Sequence, residues 1–308
     1  MTHIPVLLKE VIEILNPKEG EFFIDGTLGA GGHAKEILKK IGSGGGFLGV
    51  DWDKEAIRKL KAEDFKNHRN AIFVQGNYAG LPEILKKNNL PKADGLIIDL
   101  GFSSDQLEIL GRGFSFLRDE ILDMRYDVDS ENLTAAELIN SFSEKDLADI
   151  FFKYGEERFS RQIAKKIVEQ RKKKRILTTF DLSAAIEGAV PRNYERGRIP
   201  RSRSFASLRG RHPSTRIFQA LRIYVNDELG NLKKFLENLE KVANSKGRVA
   251  IISFHSLEDR LVKNHFNELV KRNKAEFLIK KFIRASEEET RNNPRSRSAK
   301  LRAIQLAG

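Results

Sequence analysis

Asp25-Gly26-Thr27-Leu28-Gly29-Ala30-Gly31-Gly32-His33 sets a carboxylate inside a glycine-rich turn that follows the apolar run Phe22-Phe23-Ile24. Glycines let backbone amides approach a ligand, and a helix starting near Gly32 offers unpaired N–H groups and a positive dipole end to an anion. A pyrophosphate would be repelled by Asp25. The amino-acid end of S-adenosylmethionine carries both signs, so its carboxylate can sit on the helix amides while its ammonium pairs with Asp25. Two other readings stay open at this point: a plain tight turn, and a dinucleotide site, because Gly29, Gly31 and Ala34 fit the loose fingerprint.

Further acids and polar groups recur at the ends of apolar runs. Asp51 ends Phe47-Leu48-Gly49-Val50, nineteen residues after Gly32, where it can accept hydrogen bonds from the ribose hydroxyls of an adenosine or cap the helix starting near Asp53. Ala71 to Gln75 leads into Gly76-Asn77-Tyr78, and Gly95-Leu96-Ile97-Ile98 leads into Asp99-Leu100-Gly101. Ligands of open α/β sheets bind beyond the carboxyl ends of the strands, so four such ends form a constellation.

The elements that must position these residues follow from the periodicity. From Glu21 to Asp99, short apolar runs alternate with amphipathic segments such as Lys54 to Lys61, which predicts a mostly parallel sheet covered by helices. Helical periodicity then takes over without a convincing strand: Thr134 to Phe142, Glu144 to Phe152, Phe159 to Arg171 and Thr178 to Gly188. From Thr215 one long helical pattern leads to a strand over Gly247 to Ser253, a helix from Ser256, and closing strands over Phe277 to Phe282 and Ala299 to Leu306. The expected organisation is a discontinuous α/β domain, residues 1–105 and 214–308, with an all-helical insertion, residues 106–213, for substrate recognition.

Composition narrows the chemistry. Over 308 residues, 55 Lys and Arg against 43 Asp and Glu give a formal charge of +12, which favours a polyanionic partner. Zero cysteines exclude disulfides, thiolate metal sites and thiol catalysis. Six histidines without a paired helical arrangement make no case for a metal. The first residues lack the pattern of a secretory signal, and no apolar run reaches the roughly 18 residues of a membrane span, so a cytoplasmic protein is expected.

Basic residues are concentrated. Between Arg192 and Arg216 eight arginines, among them Arg201, Arg203, Arg209 and Arg211, face the single acid Glu195, and guanidinium forks suit phosphate oxygens. Arg171 to Arg175 and Arg295 to Arg302 are smaller clusters that read either as phosphate contacts or as solvated faces. Phe114 and Phe116 either stack on a target base or dock the insertion on the sheet. Ser256 and Asp259 read as a capping box, while His255, Glu258 and Asp259 also lie where a nucleotide would be seated. Asp123 and Arg125 either orient substrate or pair with each other.

Eight blocks in order then carry a resemblance over nearly the whole chain: Asp25 to His33, Asp94 to Gly101, Arg112 to Phe116, Leu122 to Arg125, Tyr154 to Arg158, Phe218 to Arg222, Ser253 to Arg260 and Arg295 to Ser298. The sequence resembles the bacterial ribosomal RNA small subunit methyltransferase H family. The resemblance implies a Rossmann-like, S-adenosylmethionine-dependent methyltransferase fold with an inserted helical domain. It also implies N4-methylation of cytidine 1402 in 16S ribosomal RNA, near the decoding centre, and cofactor contacts at Gly31, Gly32, His33, Asp51, Tyr78, Asp99 and Gln106. Tyr78 stands where the family has Phe, Asp105 where it has Pro, and Tyr126 where it has a second Met. Asp99 or the backbone carbonyls of the Leu100 to Ser103 turn are the candidate acceptors for the cytosine amine. The partner is 16S ribosomal RNA or the small subunit, with no membrane, and a homodimer stays open. An NAD-dependent oxidoreductase and a non-catalytic RNA-binding module are the rival readings.

Overall fold

A computed structural model describes residues 4–54, 57–58, 70–101, 111–191 and 212–308. The chain divides into two compact units, one of residues 1–103 and 229–308, the other of residues 104–228.

The first unit is built on a seven-stranded sheet of order β3-β2-β1-β4-β5-β7-β6. Its strands are β1 (Phe22–Asp25), β2 (Gly46–Asp51), β3 (Ala71–Gln75), β4 (Ala93–Asp99), β5 (Ala243–Ser253), β6 (Ala275–Phe277) and β7 (Lys300–Leu306). Strands β1 to β5 pair in parallel, and β7 runs antiparallel to β5 and β6. All four residues of β1 are buried, as a central parallel strand covered on both faces requires. Its side chains alternate: Phe22 and Ile24 enter one core with Leu48, Val50, Leu96, Ile98 and Val249, while Phe23 enters another with Phe47, Ile97, Ala250 and Ile252.

Helices cover both faces. α1 (Leu8–Leu15) and α2 (Gly32–Ile41) contribute Val11, Leu15, Ile37, Leu38 and Ile41 to the Phe23 core. α3 (Leu81–Lys87) contributes Leu81 and Leu85 to the opposite core, joined by Leu232, Phe235, Val262, Phe266 and Leu269 from helices later in the chain. The crossovers from β1 run outward in both directions, so the strand order reverses between β1 and β4. That reversal opens a crevice at the carboxyl ends of these two strands.

The second unit is helical: α4 (Ala135–Ser141), α5 (Glu144–Gly155), α6 (Ser160–Arg171), α7 (Thr179–Glu187) and α8 (Pro213–Val225). Thr134 and Glu137 form a capping box at the start of α4, and Ser143 and Thr178 cap α5 and α7. The core of this unit contains Leu138, Leu147, Phe151, Ile163, Ile167, Leu182, Ile217, Phe218 and Leu221.

Several sequence expectations need correction. The long helix expected from Thr215 is three helices, α8, α9 (Glu228–Glu237) and α10 (Leu239–Val242); Asp227, with φ +46°, turns the chain between the first two. The return to the α/β unit falls at residue 229 instead of 214, since Ile217, Phe218, Leu221 and Val225 of α8 are buried in the helical core. Strand β5 begins at Ala243, ahead of the expected Gly247, with a register shift opposite Ala93 and Gly95. The expected strand Phe277 to Phe282 stops at Phe277, where the Leu278 and Ile279 amides both turn to the Ala303 carbonyl (3.2 and 3.4 Å) and the ladder ends. α11 spans Ser256–Lys271 and α12 spans Glu287–Asn292. Among the described residues no helix is long and apolar enough to cross a membrane.

Candidate active site

The carboxyl ends of β1, β2 and β4 deliver Asp25, Asp51 and Asp99 to one rim of the sheet. Register explains the gathering: Asp25 lies opposite Gly49 of β2 and Ile97 of β4, two residues short of Asp51 and Asp99. Asp25 and Asp51 are 2% and 7% exposed. Among the described residues no lysine or arginine pairs with any of the three.

Their electrostatics follow from that. Burial pushes the Asp25 carboxyl up to about 7, and the neighbouring Asp99 and Asp51 charges add to the rise against the Thr27 amide that lowers it. Asp99 is likewise pushed up to about 7 by burial, opposed by the Gly101 amide, with the Glu258 charge adding to the rise. Asp51 is raised by burial against the amides of Asp53 and Gly29. Ionising such groups without a counter-charge is costly, so this rim is matched to a ligand that brings positive charge.

The glycine turn shapes the rest. Gly29 and Gly31 have φ of +51° and +73°, the left-handed region where a side chain is strained. Gly29 donates its amide to Asp51 Oδ2 at 2.7 Å, and the Asp53 amide donates to Asp51 Oδ1 at 2.9 Å. Asp51 therefore organises the turn after β2 and locks it to the glycine turn. A Cβ on Gly26 would lie 2.4 Å from Ile98 Cδ1 and 3.1 Å from Tyr78 Cβ, so the chain crosses β4 with no room for a side chain. α2 starts at Gly32 without a side-chain cap, leaving its first turn to be capped by another acceptor.

Thr27 was not singled out by the sequence, yet it joins two of the acids. Its Oγ1 accepts the Asp99 amide at 2.6 Å, and its hydroxyl hydrogen-bonds the Asp25 carboxyl. Its place between Asp25 and Gly29 was the available signal. Asn77 was also passed over: it caps the turn before Tyr78 and donates to Asn231 Oδ1 at 2.6 Å. Tyr78 is buried, its ring edge-on to Phe235 at 5.6 Å. His33 is buried too, with Nε2 3.0 Å from the Val6 carbonyl, and a Cβ on Gly32 would meet Pro5 at 2.8 Å. Both residues thus hold the N-terminal segment against the start of α2.

The turn after β5 reaches the same rim. Leu100 donates to the Ile252 carbonyl, and a Cβ on Gly101 would lie 2.7 Å from the Phe254 ring, so the turns after β4 and β5 are in contact. His255 caps α11 by accepting the Glu258 amide on Nδ1 at 3.3 Å, while Glu258 Oε2 accepts the amides of Phe254 and His255. The capping box is therefore His255 with Glu258, one residue ahead of the expected Ser256 with Asp259. Asp259 faces another way: it pairs with Lys300 at 2.8 Å and Arg302 at 2.7 Å, which pull its carboxyl below the usual range against burial. Those pairings give Asp259 a structural role and use two cations of the Arg295 to Arg302 cluster.

Residues of the helical unit expected at the substrate are engaged within that unit. Phe114 stacks on Tyr126 (5.6 Å, 14° between planes), and Phe116 stacks on His212 (5.0 Å) and meets the edge of Phe218. Both rings pack against the helical core. Asp123 and Arg125 pair with each other through two contacts of 2.8 and 2.9 Å. Gln106, Asp105, Arg201, Arg203, Arg209 and Arg211 lie outside the described residues.

The strand order, the crevice at the β1–β4 reversal and the acidic rim define a Rossmann-like, S-adenosylmethionine-dependent methyltransferase. The chemistry of the residues present fits that cofactor: uncompensated carboxylates would suit its cationic groups, and the start of α2, which has no side-chain cap, its carboxylate. The chain belongs to the MraW methylase family, whose model matches residues 1–307. It is 47% identical over 97% of its length to a protein from Synechocystis sp. (92% of that protein) and 46% identical over 99% of its length to one from Thermotoga neapolitana (96% of that protein). Both relatives bear the name ribosomal RNA small subunit methyltransferase H. Among solved structures it is similar to an S-adenosylmethionine-dependent O-methyltransferase from Thermotoga maritima (TM-score 0.43, 8% identity, 100% of this chain and 68% of that one).

Proposed function

We propose that this enzyme methylates N4 of cytidine 1402 in 16S ribosomal RNA, acting in the cytoplasm on the RNA or the small subunit. The observation that carries the reading is the acidic rim: Asp99, pushed up to about 7, stands beside Asp25 and Asp51 with no cation among the described residues to neutralise them. Relatives named as small-subunit ribosomal RNA methyltransferases support the substrate class.

S-adenosylmethionine supplies, when bound, a methyl group on a positively charged sulfur that leaves readily for a nucleophile. Asp25 would hold the ammonium of that cofactor, and Asp51 would accept from its ribose hydroxyls. Gly31, Gly32, His33, Tyr78 and Gln106 complete the cofactor contacts. The exocyclic amine of cytosine is a weak nucleophile because its lone pair is delocalised into the ring. Asp99 counters this by accepting an N4–H hydrogen bond and orienting the lone pair, so that positioning and electrostatics carry the rate. After transfer N4 is far more acidic, and its proton passes to Asp99 or water. Arg201, Arg203, Arg209 and Arg211 neutralise RNA phosphates. Phe114 and Phe116, already packed within the helical unit, serve the RNA by shaping that unit. His255 and Glu258 stand at the Asp99 turn.

The direct test is incubation with labelled cofactor and small-subunit RNA, followed by mass spectrometry of 16S fragments. Methyl at N4 of cytidine 1402 is expected, and methyl at another nucleotide, or none, rejects the reading. Titration with NAD gives no binding if the acidic turn works as described. Replacing the four arginines together should weaken RNA binding and flatten its salt slope, at unchanged cofactor affinity.

A further inference from the structure

His255 contains an atom that the cap does not use. Its Nδ1 accepts the Glu258 amide, which leaves Nε2 as the ring's donor. The side chain is 9% exposed, and Nε2 is a buried atom with no hydrogen-bond partner among the described residues. Glu258 Oε1 is 3.1 Å away, but at an angle that makes no hydrogen bond to the ring N–H. Leaving a buried donor unmade is unfavourable, and native structures keep such atoms where a ligand completes them.

The surroundings state what that ligand presents. Asp99 and Ile252 are register partners, and His255 lies three residues beyond Ile252, on a turn that touches the turn carrying Asp99. Asp99 Oδ1 accepts the Gly101 amide at 3.0 Å, and its other oxygen takes no hydrogen bond from the described residues. The touching turns after β4 and β5 therefore bring to one end of the rim an Asp99 oxygen and the His255 Nε2, neither of them hydrogen-bonded among the described residues. The Watson–Crick edge of cytosine offers the complement, an N4–H donor beside an N3 acceptor, whereas uracil offers O4 and N3–H, which would set like against like at both positions.

We infer that His255 is a specificity-determining residue that donates its Nε2–H to N3 of the target cytosine while Asp99 accepts from N4–H. This rests on the cytidine N4 reading above. A site built to hydrogen-bond a substrate group discriminates strongly against the analogue that lacks it, because its own polar atoms are left unpaired.

The test compares the full-length enzyme with His255→Asn and His255→Gln on small-subunit RNA carrying cytidine or 3-deazacytidine at the target position. Asn retains a capping oxygen but loses the ring N–H, and Gln restores a donor at longer reach. Wild type should lose about tenfold or more in kcat/KM when N3 is removed. His255→Asn should lose about tenfold or more on cytidine but show little further loss on 3-deazacytidine, the signature of a removed pairwise contact, and His255→Gln should recover part of the discrimination. Equal 3-deaza penalties in wild type and His255→Asn would overturn the inference, since loss of a cap alone lowers both substrates together. Should His255→Asn fail to fold, wild type alone decides: equal kcat/KM on the two RNAs overturns it. If wild type places no methyl on cytidine N4, the parent reading falls and this one with it; if it does so without sensing N3, only this one falls.

Discussion

Acids in the two units are treated in opposite ways. In the helical unit Asp123 meets Arg125, Glu228 meets Arg222 at 2.6 Å, and Asp181 meets Lys174. Burial raises Asp123 and Asp181, but the hydrogen bonds and charges of Arg125 and Lys174 outweigh it, and both carboxyls sit below the usual range. In the sheet unit Asp25, Asp51 and Asp99 are raised, and their only described partners are backbone amides and Thr27. Compensated acids build architecture, whereas an uncompensated cluster is tolerated only where a ligand completes it. Asp259 shows that the distinction is not simply one of unit, because this buried acid of the sheet unit is fully paired and belongs with the architecture.

The sharpest way to break the comparison is at Asp99. Asp99→Ala should lower kcat for methyl transfer on the order of 10³-fold, the range for losing a positioned acceptor. Circular dichroism should show the fold intact, since the Thr27 contact uses the Asp99 backbone amide. A variant with near-normal kcat would return Asp99 to the architectural class.

Next is Asp25→Asn, which retains an oxygen for the Thr27 amide but removes the charge. Cofactor affinity by calorimetry should fall on the order of 10²-fold, the weight of a well-placed buried ion pair. The ligand-free enzyme should melt a few degrees higher at pH 8. A carboxyl raised from 3.8 to about 7 opposes folding once ionised, on the order of 4 kcal/mol at ~1.4 kcal/mol per pH unit. Lower affinity with higher stability is the mark of a functional charge, and a fall in both would contradict it.

The same shifts give a pH dependence with a definite sign. Between about pH 4 and 7 the folded enzyme holds protons on Asp25 and Asp99 that the unfolded chain has released. The ligand-free protein therefore loses stability as pH rises through that window. A cationic ligand favours the ionised forms, so cofactor affinity should climb about tenfold or more from pH 5.5 to 7.5, with protons released on binding. Calorimetry in buffers of different ionisation enthalpy reads the protons directly. Uptake, or none, would mean that the carboxylates do not meet the ligand's charge.

Much of this was legible in the sequence, for physical reasons particular to each residue. Asp25, Asp51 and Asp99 end apolar runs, and parallel strands of similar length bring their carboxyl ends to one rim. The caps at Thr134, Ser143 and Thr178 follow local rules that need no tertiary partner. Where partners lie far apart in the chain, local reading failed. Nothing near Asp259 points to Lys300 and Arg302, which reach it only because β7 inserts beside β5. The break at Asp227 is a single left-handed residue within an otherwise helical pattern. The capping box moved by one residue because His255, through its ring nitrogen, took the place the usual hydroxyl rule gave to Ser256.

The smallest expected effect lies on the compensated side. Asp123 Oδ1 accepts from both the amide and Nε of Arg125, Oδ2 accepts from Nη2, and the pair is less than a fifth exposed. Arg125 also donates to the Ser130 carbonyl, so the pair fixes the loop that follows Met124, whose φ of +63° already carries strain. Asp123→Asn leaves the guanidinium without its counter-charge in a largely buried site. It should destabilise the helical unit by about 1 to 3 kcal/mol, a few degrees in Tm, discounted from the fully buried case because solvent screens part of the pair. Cofactor affinity in the sheet unit should not change. A variant that loses cofactor binding at unchanged melting temperature would place Asp123 among the functional acids and erase the contrast between the two sets.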